Sequence, residues 1–279
     1  MPNDNFVAVV HGLDYLAALL LFGVQFFEQF ISGSKSQSSS KYFLIALFTS
    51  TIWLLLSATD MAGSWSFNKI WFAMSETTVG FYSCVRNLIL LCGFVLSIIG
   101  REKRNIRFIL LGLAGIAPLF STLISHAAMS ETHTNLRTVL DFVHVTFASI
   151  WVGGLFALYI SLGRSAEPYS VVKRFSLFAM ASTSLILFTG VVQLYFTFAT
   201  LSDLWTTIYG KLALSKLVLF FMALAAAGLN HFMHLRNWRA GNDLMFIKNI
   251  KRELKIEMFL LLILVGVTSF LTRTNLPGE

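Results

Sequence analysis

Eight apolar runs constrain this chain more than any other feature of its sequence. They lie at roughly 6–31, 41–59, 79–99, 106–126, 137–162, 171–197, 210–235 and 254–273. Each is close to the length of about 20 residues that an α-helix needs to cross a bilayer. Because a backbone in lipid must satisfy its own hydrogen bonds, the runs predict an all-α, polytopic membrane protein with eight transmembrane helices in one bundle. We expect a single transmembrane domain, 1–279, with two four-helix halves, 1–126 and 127–279, as the alternative division.

The composition excludes a soluble protein. Hydrophobic residues make up 56% of the 279 positions and charged residues only 13%, which leaves too little polar surface to cover a globule in water. We therefore expect the net charge of +7 to reflect basic loops that set the orientation of the helices in the membrane. The expected partner is membrane lipid, and no nucleic acid is expected. The first run follows Asp4 with no Lys or Arg before it, and is too long for the core of a signal peptide, so we expect it to remain as a helix.

Lys and Arg alternate between the two predicted sides of the membrane. The loops of one side carry 15 of them, and the loops of the other side carry four. The basic loops are 32–41, 100–107, 163–174 and 236–255. Since basic loops remain in the cytoplasm, both termini are predicted to lie outside.

Two smaller features complete the predicted architecture. The linker 60–78 carries apolar residues at helical spacing, which indicates a helix lying flat at the membrane surface. These residues are Phe67, Ile70, Trp71 and Met74. Cys84 and Cys92 lie eight positions apart in one run, too far along a helix for a disulfide between them.

The histidines predict a metal site at the outer end of the bundle. His11, His126 and His144 belong to the outer parts of the first, fourth and fifth helices. Ionisable groups at membrane depth are costly unless they face protein, water or a metal, and neutral imidazole binds copper, zinc, iron and nickel. The alternative interpretation is that each ring bonds a backbone carbonyl and packs.

Further residues extend this predicted site. His133, Met129 and Cys84 are additional candidate ligands near the same side, and thioethers favour Cu(I). Asp14 and Asp141 each lie three positions from a histidine and are predicted to orient the rings as hydrogen-bond acceptors beside the ligands.

A route inward is less defined. Polar residues that share helix faces with the outer site suggest a pathway through Gln25, Glu28, Thr189 and Gln193. At the inner side, His231 and His234 with Met233 could release a metal, or could simply contact lipid headgroups. Arg86 and Lys216 lie inside predicted helices, where an unpaired cation is expensive, so we expect each to form a structural ion pair with a carboxylate.

Four stretches of the sequence resemble the CopD family of copper-resistance membrane proteins, which includes PcoD and YcnJ-type chains. They are Ser125-His126-Ala127; Asp141-x-x-His144 followed by Trp151-Val-Gly-Gly-Leu155; Arg174-Phe-Ser176 leading to Thr189-Gly-Val-Val-Gln193; and Thr207-Ile-Tyr209-Gly210 leading to Lys216. The likeness covers mainly residues 120–230. It departs at Ser125, where the family has Gly, and at Asn230-His231, where the family has Asn-Arg.

The resemblance implies an eight-helix protein of the bacterial inner membrane that handles copper, as Cu(I) or Cu(II). In the family the outer histidines handle the metal, which points here to His126 and His144, and to His11. It also implies a periplasmic CopC-like copper-binding protein, expected here as a separate chain. The leading hypothesis is therefore copper transport, with import as the favoured direction, by a protein that is not an enzyme. Two alternatives remain: a b-type haem electron-transfer protein with bis-histidine ligation, and a membrane receptor for a periplasmic copper protein.

Overall fold

A computed structural model of the chain describes residues 4–32, 39–100, 104–123, 134–165, 167–198, 200–230 and 243–274. All regular elements among these residues are helical. The α-helices are Asp4–Phe27 (α1), Ser39–Ala62 (α2), Phe67–Glu76 (α3), Thr78–Ile99 (α4), Arg104–Leu123 (α5), Thr134–Ser161 (α6), Pro168–Thr197 (α7), Asp203–Thr206 (α8), Ile208–Asn230 (α9) and Asp243–Leu271 (α10). A π-helical turn, Glu28–Ser32, extends α1.

Eight of these helices are long and apolar enough to cross a membrane, and they correspond to the eight predicted runs. The predicted all-α class and the number of spans are thereby confirmed. The linker contains the predicted helix, α3. Phe67 and Trp71 are largely exposed on it, and their rings stack with centroids 6.5 Å apart. Cys84 and Cys92 are both free thiols.

The last helix is the clearest correction to the predicted boundaries. It begins at Asp243, eleven positions before the predicted start at 254. The first turns contain Lys248, Lys251 and Arg252, whose charges do not suit the bilayer core. Hydropathy therefore located the apolar part of α10 and missed the amphipathic turns before it, where Phe246 and Ile250 are nonetheless buried.

The bundle is built around a close crossing of α1 and α6. A Cβ atom placed on Gly153 would lie 2.7 Å from both the Cα of Gly23 and the carbonyl oxygen of Leu19. No side chain fits there, so the two backbones touch. Glycine allows such an approach, which is how helices associate tightly when lipid removes the hydrophobic driving force.

A buried apolar cluster fills the bundle on the side of this crossing away from His11 and His144. Its members include Phe27 of α1, Ile31 of the π-helical turn, Trp151 and Leu158 of α6, and Phe220 of α9. Trp151 meets Phe220 edge to face with ring centroids 5.6 Å apart. Trp151 and Phe220 also line the cavity between α1 and α6, so the cluster borders that cavity.

The helix crossing makes a testable prediction. Gly153→Ala should lower the free energy of unfolding by at least about 1–3 kcal/mol, because the new methyl group has to push two backbones apart. Chemical denaturation in detergent micelles would measure it.

Gly112→Ala is the matched control, because a Cβ on Gly112 in α5 would meet no atom within 4 Å. Equal stability of the two variants would contradict the proposed packing.

Candidate functional site

A cavity of about 480 Å³ lies between α1 and α6 and reaches α7, α9 and α10. Its wall contains both His11 and His144, two of the three histidines that the sequence analysis assigned to one outer site. The third, His126, lies outside the described residues. The wall also carries four basic and two acidic side chains, which are Arg86, Arg137, Lys216 and Arg273, and Asp14 and Asp141.

Arg86 is held in a buried polar cluster at one side of the cavity. Its Nη2 donates to Asp14 Oδ2 at 2.8 Å and to Ser50 Oγ at 2.7 Å, and its Nη1 donates to Ser121 Oγ at 3.1 Å. Arg86 and Asp14 are only 4% and 3% exposed. The pair links α1 to α4 and, through the two serines, also to α2 and α5.

The carboxylate of Asp14 has Arg86 as a partner. Its Oδ2 accepts from that guanidinium, and the predicted role of Asp14 as an acceptor for the His11 ring stays a prediction. A buried guanidinium attracts a carboxylate more strongly than a neutral imidazole does.

His144 is fixed by a threonine of the next helix. Its Nδ1 lies 2.9 Å from the hydroxyl of Thr189, and that hydroxyl lies 2.7 Å from the carbonyl oxygen of Leu185. A hydroxyl has one proton, so the direction of these bonds depends on the tautomer of His144. When Thr189 donates to Leu185, its oxygen accepts from His144, and the ring then carries its proton on Nδ1.

His11 of α1 repeats this arrangement elsewhere in the cavity wall. Its Nδ1 lies 3.2 Å from the hydroxyl of Thr272 in the segment that continues α10, and this hydroxyl donates to the carbonyl of Ser269 at 2.8 Å. The ring also packs against Trp53 with centroids 5.5 Å apart. When the Thr272 hydroxyl donates to Ser269, the proton of His11 likewise lies on Nδ1.

In this tautomer both rings present an unprotonated Nε2. That nitrogen keeps its lone pair, which is the atom that a metal needs from imidazole, while the opposite nitrogen is held by a hydrogen bond that sets the ring orientation. Within the described part of the chain, no cluster of three or more His, Cys, Asp or Glu side chains is arranged to hold a metal. His11 and His144 share a cavity, and a common ligand set would require residues beyond those described.

Lys216 differs from Arg86. The sequence predicts an ion pair with a carboxylate for it. Asp141 lies within electrostatic range of Lys216, as does His144, and the ion pair stays a prediction. It lines the cavity from α9.

Two of the four residues of the predicted inward pathway lie at this cavity. Gln193 lines it, and Thr189 orients His144 at its edge. Gln25 and Glu28 are absent from its wall. Gln25 lies further along α1, where it is 5% exposed, and Glu28 begins the π-helical turn that follows. Cys84 is half-buried and also lies outside the wall.

Several predicted ligands fall outside the described residues. They are His126, Met129 and His133 of the outer group, and His231, Met233 and His234 of the inner group. Their assignments stay predictions.

Some residues of the site were missed by the sequence analysis. Thr272 and Trp53 contact His11, and Ser50 and Ser121 bind Arg86. Hydroxyl and indole groups are common in transmembrane helices, so their positions alone did not single them out. Arg273 also lines the cavity, paired with Asp60 at 3.0 Å.

Comparison with known proteins adds independent information. Residues 2–136 match the family described as copper resistance protein D-like, N-terminal domain, and residues 169–271 match the family described as copper resistance protein D. The chain is 32% identical over 162 residues to the copper transport protein CutJ of Bacillus subtilis (strain 168). That alignment covers 55% of this chain and 27% of the relative, so the chain spans about a quarter of that protein's length. No solved structure matches the chain.

The ion pair in the cavity wall yields a prediction. Arg86→Gln should lower the free energy of unfolding by about 3–5 kcal/mol, because it leaves the Asp14 carboxylate buried without its cation. Replacing both partners, as Arg86→Met with Asp14→Leu, should restore much of the loss. Denaturant titration in micelles measures both.

Arg273→Gln is the comparison, because its pair with Asp60 is about one-third exposed and such pairs contribute about 0–1 kcal/mol. The assignment would be wrong if Arg86→Gln were as mild as Arg273→Gln.

Proposed function

Because the chain belongs to the copper resistance protein D family, we propose that it transports copper across the bacterial cytoplasmic membrane, with the cavity between α1 and α6 as its outer binding site. Membership of this family and eight membrane-spanning helices make it a multi-pass protein of that membrane. The family handles copper, and its members are transport and resistance proteins rather than enzymes.

One observation carries the proposed site. Two imidazole rings from different helices line one cavity, and each has its Nδ1 in contact with a threonine hydroxyl, which leaves Nε2 on the other side of the ring. A copper ion that enters the cavity meets nitrogen ligands that are already deprotonated and oriented, which lowers the cost of binding. His126 is proposed as a third ligand, as the family resemblance implies. Asp141, on the same wall as His144, is proposed to help orient the ligands.

Import is the proposed direction. The distribution of Lys and Arg among the loops supports a topology with both termini outside, by the positive-inside rule. In that topology the cavity would open to the outer side and accept copper from a donor. The proposed donor is a periplasmic CopC-like copper-binding protein acting as a separate chain. The comparisons support copper handling and give no support to the haem alternative or to a purely receptor role.

A binding experiment tests the site. In anaerobic competition with a chromophoric Cu(I) chelator, His144→Ala should remove copper from the purified protein. Thr189→Val should weaken copper binding by about 10–100-fold, because the hydroxyl that fixes the His144 ring is lost while the ring remains.

Thr183→Val serves as the matched control. Thr183 is also a buried threonine of α7, but its hydroxyl bonds only the carbonyl of Met180, at 3.1 Å, and it does not line the cavity. Equal copper affinity of the two threonine variants would refute the role given to Thr189.

The direction has its own test. Deleting the gene should lower total cellular copper in cells grown at limiting copper, as measured by elemental analysis, and the wild-type gene should restore it. A His144→Ala gene supplied in the same way should not. Cellular copper that rises on deletion would reverse the proposed direction and leave the binding site unaffected.

A further inference from the structure

The second half of the chain repeats the helices of the first half with a shift of 130 positions. Helices α1 and α6 begin at Asp4 and Thr134, and helices α4 and α9 begin at Thr78 and Ile208. The short helices α3 and α8 come directly before α4 and α9. Each half contributes four of the membrane-spanning helices, so both halves start on the same side of the membrane.

Backbone contacts repeat at the same shift. A Cβ on Gly80 would meet the carbonyl of Ala73, and a Cβ on Gly210 would meet the carbonyl of Asp203. In both halves the amide of this glycine donates, at 3.0 Å, to the hydroxyl of the threonine three positions earlier. The turn between the short helix and the following span therefore has one construction in both halves.

The central crossing follows the same rule. A Cβ on Gly23 would meet the carbonyl of Ser149, and a Cβ on Gly153 would meet the carbonyl of Leu19. Each residue of one contact lies 130 positions from a residue of the other contact. Reciprocal contacts of this kind are what an approximate two-fold axis produces, as in parallel repeats related by an axis along the membrane normal. The matches indicate an internal duplication, in which each helix has a counterpart.

In the first repeat, α2 packs along α4. One face of α2 is buried in this contact: Phe43, Ala46, Ser50, Leu54 and Ser57. The Phe43 ring occupies the notch at Gly93 of α4, where a Cβ would strike it. The hydroxyl of Ser50 bonds Asn87 of α4. An aromatic side chain in a notch and a polar link thus close the first repeat between α2 and α4.

The same face is uncovered in the second repeat. The shift places it at Lys173, Ser176, Met180, Ser184 and Leu187 of α7, none of which is buried. Met180 is 57% exposed, whereas its counterpart Ser50 is 0% exposed. On α9, Ala223 replaces the notch glycine and Leu217 replaces Asn87. Within the described residues, α7 and α9 do not pack along each other, so the second repeat is open where the first is closed.

The cavity extends into this opening. Helices α7 and α9 supply twelve of its lining residues, whereas α2 and α4 supply three, so the cavity is displaced towards the second repeat. Its wall there is largely apolar and includes Leu187, Val191 and Leu194 of α7, and Ala213 and Leu217 of α9. Val191 is 55% exposed. The apolar wall therefore continues from the interior to the outer surface of the bundle.

We propose that an acyl chain of a membrane phospholipid enters between α7 and α9 and forms the missing wall of the cavity, reaching Trp151 and Phe220. The site is a lipid site built by the second repeat. It is independent of copper, and copper transport could be wrong without affecting it.

The surroundings of the opening give the first reason. Both α7 and α9 are membrane spans, so the medium at their exposed faces is hydrocarbon. The rim of the opening suits that medium, because Met180 and Phe188 of α7 and Val218 and Phe221 of α9 are all largely exposed. Apolar cavities exclude water and take up apolar ligands, and a cavity left empty costs stability in proportion to its volume.

The size of the cavity gives the second reason. Its volume of about 480 Å³ lies within the ~300–1,000 Å³ of sites that bind small organic molecules. A helix of a second copy is about 10–12 Å thick and about 30 Å long where it spans a bilayer, so it cannot enter this space. A flexible chain of methylene groups can enter it and reach the buried ring of Trp151.

Photolabelling from the lipid tests the site. The full chain is reconstituted in phosphatidylcholine that has a diazirine in the middle of one acyl chain, illuminated, and mapped by peptide mass spectrometry. Trp151 and Phe220 are only 2% and 6% exposed, yet both should be labelled, because the chain reaches them inside the bundle. Phe48, which is 65% exposed, should be labelled by the surrounding lipid. Phe43, buried in the closed first repeat, should stay unlabelled.

Two tryptophan variants of adjacent positions make the result specific. Leu217→Trp fills the opening from α9 and should abolish labelling of Trp151 and Phe220, while Phe48 stays labelled. Val218→Trp is the matched control, because Val218 is 58% exposed and does not line the cavity. It should leave the labelling of all three residues unchanged.

Every other result contradicts the lipid site. Wild-type protein labelled at Phe48 and at neither Trp151 nor Phe220 would show that no chain enters. Labelling of Trp151 that persists in Leu217→Trp would show that lipid arrives by another route. An unlabelled Met180 in a protein that migrates as a dimer would show that a second copy covers the opening. Where Leu217→Trp does not fold, the map of the wild type decides.

Discussion

The contact of the α1 and α6 backbones at Gly23 and Gly153 is the constraint on which the rest of the structure depends. In lipid, helices gain little from burying apolar side chains against one another, so close packing of small residues decides which helices associate. Here the packing of small residues brings α1 and α6 into backbone contact. Towards His11 and His144 the same two helices border a cavity, and towards Phe27 and Leu158 they border a packed core. One pair of glycines thus divides the bundle into an open part and a closed part.

Charge is arranged around that division. The Arg86 cluster joins four helices through Asp14, Ser50 and Ser121, and its low exposure makes it a structural anchor in which removal of either ion is costly. On the wall that contains His144, the hydroxyl of Thr189 holds the imidazole ring. The buried ion pair thus joins the helices around the cavity, and the threonine orients one of its rings.

The sequence predicted the spans well because bilayer thickness leaves little freedom, and the apolar runs had to be helices of fixed length. It predicted that Arg86 needs a carboxylate, but it could not choose among Asp14, Asp60, Glu76 and Asp141, since that depends on which helices become neighbours. The partner of His11 shows the same limit. Thr272 lies 261 positions away, and no local pattern connects a first helix with a last one. The start of α10 was misplaced because hydropathy measures fitness for lipid, whereas a helix continues into water wherever its backbone bonds and apolar stripe continue.

The two imidazole rings have a consequence for energy coupling in the proposed transport. A neutral ring that binds a metal through one nitrogen keeps its proton on the other, and here Nδ1 of each ring contacts Thr189 or Thr272, so metal binding releases no proton. Each transported unit would then move its own net charge and nothing else from these groups. A bare Cu(I) ion would be electrogenic and driven inward by the membrane potential, at about 2.3 kcal/mol per charge for each 100 mV, whereas a neutral copper complex would cross without feeling that potential.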